Sequence, residues 1–75
     1  MSNEAKLVAW ATKRARAMYP GKPPRTIAAQ AVLVLAREWD AYAHAHGRRC
    51  DGDRAALYRR AAEEAHRRVA AMEAA

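Results

Sequence analysis

Between Thr26 and His46 the apolar residues recur every three or four positions. At 100° per residue, Ile27, Ala31, Val34, Leu35, Trp39, Tyr42 and Ala45 fall within a band of roughly 140°. That is the stripe of a buried helix, and a strand of this length lies well outside the usual range. At its middle stands Val32-Leu33-Val34-Leu35, the one run of four large aliphatic side chains in the chain. This segment is predicted to be a central helix that its neighbours must cover. Leu33 departs from the stripe and points to the opposite side, near Gln30, Arg37, Asp40 and His44. Either a third helix covers it, which is the preferred reading for a middle helix, or it is a dimer contact awaiting a second copy.

Two weaker periodic segments flank the centre. In the first, Leu7, Ala11, Ala15 and Met18 share a side, with Val8 and Tyr19 at one edge and Trp10 at the other. Ser2 or Asn3 is placed to cap it, with Glu4 favourable against the positive helix start. Pro20-Gly21-Lys22-Pro23-Pro24 ends it, because Pro20 disfavours a helical Tyr19 and Gly21 permits positive φ. Either Pro24 opens the next helix as a first-turn residue or Thr26 caps it. In the last segment Leu57, Tyr58, Ala61, Ala65, Val69 and Met72 make the stripe, after a polar loop in which Gly47 terminates the central helix and Asp51 or Asp53 caps the next. Its outward side carries opposite charges four apart: Arg59–Glu63, Arg60–Glu64, Glu63–Arg67 and Glu64–Arg68. Such a face satisfies itself and is not expected to bind anything.

The expected architecture is a single all-α domain, a small antiparallel three-helix bundle with helices at roughly 3–19, 25–46 and 53–72. The finer division is a basic helix at 2–19, a Pro/Gly turn at 20–25, the central helix at 26–46, a loop at 47–52, a third helix at 53–72 and a frayed tail at 73–75. Two charged residues disturb the pattern. Glu38 sits near the centre of the central stripe, and Arg14 points into the apolar band of the first helix between Leu7 and Trp10. A buried charge needs a partner, so Arg14 and Glu38 are a candidate buried ion pair. The simpler alternatives are that Arg14 snorkels past the core edge and that Glu38 reaches the rim of the core.

Composition tempers the apparent hydrophobicity. Of the 75 residues 21 are alanine, while Leu, Ile and Val together number nine and Phe is absent. Alanine favours helix but contributes little burial, so the fold is thinly cored and a homodimer is a natural way to gain buried area. The single Cys50 excludes an intramolecular disulfide, no basic start leads into an apolar run, and the uncharged run at 26–36 is too short to span a bilayer. The expectation is a cytoplasmic protein with no membrane partner.

Charge narrows the function. The net charge is +6, and residues 1–25 alone carry six basic side chains against Glu4. Lys6, Lys13, Arg16, Lys22 and Arg25 gather on the first helix and its turn, with Tyr19 beside them as an aromatic anchor. A basic face selects anionic partners. No catalytic residues, cofactor or metal are expected. The chain has no Gly-rich phosphate loop, and His44 and His46 diverge on a helix rather than pairing at metal-ligand spacing near Cys50. The helices are too long and the linkers too stiff for a helix-turn-helix. The expected function is therefore a non-enzymatic protein-binding module, of the kind phage and mobile elements use as inhibitors or regulators, that docks its basic face on an acidic protein. The alternative is a nucleic-acid-binding or regulatory protein using the same face on phosphates.

Overall fold

The computed structural model describes residues 2–45 and 51–74. It contains α1 (Asn3–Met18), α2 (Pro24–Ala43) and α3 (Gly52–Ala74), each packed on both others. The chain is an all-α three-helix bundle, as the periodicity predicts. His46, Gly47, Arg48, Arg49 and Cys50 lie outside the described residues, and with them the glycine stop and the cysteine loop.

The helix ends follow local chemistry. Ser2 Oγ accepts a hydrogen bond from the Ala5 amide at 3.1 Å and caps α1. Tyr19, held before Pro20, leaves the helical region at φ −130°, ψ 65°. Gly21 then takes φ +81°, the left-handed region that favours glycine. Pro24 opens α2 as a first-turn residue. At the other end α2 stops at Ala43 rather than His46, and the His44 amide makes a last bond to the Asp40 carbonyl at 3.0 Å. Of the two candidate caps for α3 it is Asp51 that serves, its Oδ1 accepting from the Arg54 amide at 3.1 Å.

The core is built mostly of alanine. Leu35 is fully enclosed and is the largest side chain so buried, and Ala11, Ala15, Ala31, Ala61 and Ala65 belong to the same cluster. With methyl groups at these positions the helices close on one another, and Val8, Ile27 and Val34 supply the remaining large buried surface.

Three expectations about packing need correction. The buried line of α1 is Val8, Ala11 and Ala15, with Leu7 half-buried and Met18 exposed. Relative to the predicted stripe, α1 is turned by about 40° around its axis, counting 100° per residue. Leu33 is 47% exposed, so no third helix covers it. On α2 it lies across the axis from Ile27 and Ala31, and both neighbouring helices pack on that other side. Trp39 is 40% exposed although it belongs to the predicted stripe. The reason is angle: counting 100° per residue, Trp39 stands roughly 90° from the centre of the arc that buries Ile27, Ala31, Val34 and Leu35, at the edge of the contact.

Candidate binding surface

The bundle sorts its charges by helix. Every arginine of α3 stands near a carboxylate: Arg54 with Asp51, Arg59 with Glu63, Arg60 with Glu4, and Arg67 and Arg68 with Glu64. Two of the predicted pairs rearrange. Arg60 reaches across to Glu4 of α1 at 3.0 Å instead of to Glu64, and Arg67 takes Glu64 at 2.7 Å instead of Glu63. The α1–α3 seam brings Glu4 within reach, while Glu64 is already held by Arg67 and Arg68. Hydrogen bonds from those two arginines depress the Glu64 carboxyl below its usual range. Glu4 is lowered as well, first by its own backbone amide and then by Arg60.

The cations between residues 6 and 37 behave differently. Lys6, Lys13, Arg14, Arg16, Lys22, Arg25 and Arg37 are all exposed, and among the described residues none makes an ion pair. Arg14 and Glu38 are therefore not a buried pair, and no charged side chain is buried among the described residues. The turn of α1 explains this, because it carries Arg14 out of the apolar band to a flank. There its guanidinium lies over the Trp10 ring at 5.9 Å, a cation–π contact. Glu38 is half-buried and faces α3, where its charge helps to raise the Tyr58 pKa; burial is the larger cause and Tyr42 the next.

That contact belongs to a ladder the sequence did not reveal. Trp10 meets Tyr58 edge to face at 6.3 Å, Tyr58 stacks on Tyr42 at 5.4 Å, and Arg54 covers Tyr42 at 5.1 Å. Arg54 also donates a hydrogen bond to the Tyr42 hydroxyl at 3.4 Å. The ladder ties all three helices together on one side of the bundle. Its rings are engaged with each other, so it reads as a structural brace.

On α1 the free cations point two ways. Lys6 and Lys13 project directly away from the core, whereas Arg16 lies on the flank opposite Arg14. Arg16 borders a groove of about 380 Å³ where the three helices meet beside the Pro/Gly turn. Val8, Ile27, Ala31 and Ala65 are buried residues and form its floor. Arg16, Lys22 and Arg68 are exposed at its edge, Met72 flanks it, and no carboxylate lines it. Of the predicted face, the groove thus gathers Arg16 and Lys22. Lys6, Lys13, Tyr19 and Arg25 are exposed but lie outside its lining, with Tyr19 holding the turn through its carbonyl, which accepts from the Lys22 amide at 3.4 Å. Sequence reasoning missed Arg68 and gave Met72 to the core. The signal that could have found them was their spacing, four residues apart on the side of α3 that carries Ala65.

His44 is a helix-end residue whose Nδ1 stands 3.2 Å from Asp40 Oδ1. Among the described residues no three His, Cys, Asp or Glu side chains converge to hold a metal, and no helix is long and apolar enough to cross a membrane. Compared with known proteins, the chain matches no family model, no curated protein and no solved structure.

Proposed function

We propose that this protein is a non-enzymatic protein-binding module that docks the basic side of α1 and the following turn on an acidic partner protein. The observation that carries the reading is the sorting of charge. Seven exposed cations from Lys6 to Arg37 make no ion pair among the described residues, while the arginines of α3 do. Unanswered surface charge steers association and supplies charge-assisted bonds on contact. Lys6 and Lys13 serve the first role, Arg16, Lys22 and Arg25 the second, and Tyr19 offers a ring at the edge of the same surface. A small bundle of this kind acts by occupying a partner's surface, as an inhibitor or regulator of phage or mobile-element type does.

Phosphates are the alternative target for the same cations. The apolar groove among them favours a protein, since a phosphate backbone has no side chain to place there. A Lys13→Glu, Arg16→Glu double variant tests the proposal in affinity capture. Partners that depend on this face are expected to be lost, and partners retained at full affinity refute it. Fluorescence anisotropy with random duplex DNA at low salt separates the alternative, which requires a measurable affinity that falls steeply as salt rises. A homodimer through exposed Leu33 is an additional proposal, and sedimentation that gives a monomer at every concentration removes it.

A further inference from the structure

We infer that the groove bordered by Arg16, Lys22 and Arg68 is the seat for large apolar side chains of an acidic amphipathic peptide segment, resting on the reading of the basic face given above. The groove joins two properties. Its floor is apolar and contributed by all three helices, through Val8, Ile27, Ala31 and Ala65. Its edge is cationic and contains no carboxylate. Arg16 and Lys22 have no ion-pair partner among the described residues. Arg68 is braced through Nε by Glu64 at 3.2 Å, and Glu64 itself stays outside the lining. By contrast, the second concavity, on the α1–α3 seam, mixes Glu4, Glu63 and Glu64 with Arg60 and Arg67 and is internally neutralised.

The dimensions select the occupant further. Along α1 the groove runs from Val8 to Arg16, roughly 12 Å or a little over two helical turns. Its volume of about 380 Å³ is near the lower end of the range, about 300–1,000 Å³, that seats small ligands. An incoming helix that places apolar anchors at i and i+4 or i+7 matches this length, as in helix-in-groove recognition generally. Carboxylates beside the anchors meet Arg16 on one wall, Arg68 on another and Lys22 at the turn. The acids give orientation and the anchors give residence time.

The test uses a library of random peptides about 16 residues long, four helical turns and more, selected on the full-length protein. The support expected is enrichment of sequences that pair Asp or Glu with Leu, Ile, Met or aromatic residues at helical spacing. A fluorescein-labelled peptide from that pool should bind roughly tenfold more weakly to Arg16→Glu, Lys22→Glu, the effect of reversing two charged contacts. It should also lose affinity for Ala28→Trp, which fills the groove from its half-buried wall. Met72→Glu, at an exposed position, brings a carboxylate to the groove without touching the core and should weaken binding while the melting temperature stays native. Acidic peptides that respond to Lys6→Glu, Lys13→Glu but ignore both Ala28→Trp and Met72→Glu overturn the groove and leave the basic-face reading standing. A pool with no excess of acidic residues overturns both. A protein that self-associates, and is returned to monomer by Met72→Glu, assigns the groove to a second copy and overturns the inference.

Discussion

Replacing Leu35 with alanine tests the alanine-built core most directly, with Leu33 as its control two residues away. Leu35 is 0% exposed and Leu33 is 47% exposed, on the same helix and with the same chemistry. Truncating an enclosed leucine costs about 2.7–5 kcal/mol, depending on how far the surroundings close over the gap. The buried cluster that holds Leu35 is largely alanine, whose methyl groups cannot reach inward to fill a gap. The cost is therefore expected in the upper half of that range, unless the helices themselves move together. A chain of 75 residues has a total stability of about 4–11 kcal/mol, so Leu35→Ala removes a third of it or more. At about 4–8 °C per kcal/mol for a domain this small, the melting temperature falls by tens of degrees. Leu33→Ala gives up only exposed surface and gains helix propensity, so it should stay within about 0.5 kcal/mol of the parent. Urea and thermal melts followed by circular dichroism at several protein concentrations read both values. A Leu35→Ala cost below about 1 kcal/mol refutes the account of the core. A large Leu33→Ala cost that grows with protein concentration shows that Leu33 is covered by a second copy.

Four further outcomes are expected. Ser2→Ala removes the acceptor for the Ala5 amide and should lower stability by about 0.5–2 kcal/mol, measurable by denaturant titration. Gly21→Ala meets no steric obstacle, since nothing lies within 4 Å of an added Cβ; the loss of about 1–2 kcal/mol should come from the positive φ alone. The folded pKa values of Glu4 and Glu64 are depressed below 4.5, so their contribution is present above the unfolded value and is lost as pH falls through the folded one. A carboxyl NMR titration should find both low, with Arg60→Ala raising Glu4 only partway because its own backbone amide remains. Tyr58 is raised above 10.0, so its contribution is complete below pH about 10 and declines as pH rises through the folded value. Ultraviolet titration should find a tyrosine that ionises above the ordinary tyrosine value and is lost in Tyr58→Phe, and a Tyr58 that ionises at that ordinary value would contradict the packing of the ladder.

The three helices, their starts and the stop of α1 were legible because they depend on local chemistry, whereas α2 stops at Ala43 rather than His46 and α3 runs on to Ala74. Ser2, Pro20, Gly21, Pro24 and Asp51 act within a few residues of themselves. The rotation of α1 was not legible. On that helix Leu7 and Val8 compete for the core, with only alanines at Ala11 and Ala15 to break the tie, and the choice depends on what α2 and α3 present. The false Arg14–Glu38 pair follows from this one error of angle. The basic residues themselves were legible from charge alone, as was their lack of acidic neighbours in sequence. Which of them share a concavity was not, because Arg68 is distant in the chain from Arg16 and Lys22. Glu4 and Arg60 show the same limit: a helical-spacing rule offers Arg60 the nearby Glu64, and only the fold can offer it a residue 56 positions away.

A molecule with seven exposed cations that make no ion pair among its described residues is strained by its own field. Dissolved salt should therefore firm up this protein where it loosens most ion-paired ones, by damping the repulsion. Anything that settles on those cations and cancels their charge must raise the melting point, by an amount that grows with the logarithm of its concentration over its dissociation constant. Heat resistance thus becomes a detector, and a thermal-shift screen against acidic peptides can find the binding partner before its role is known.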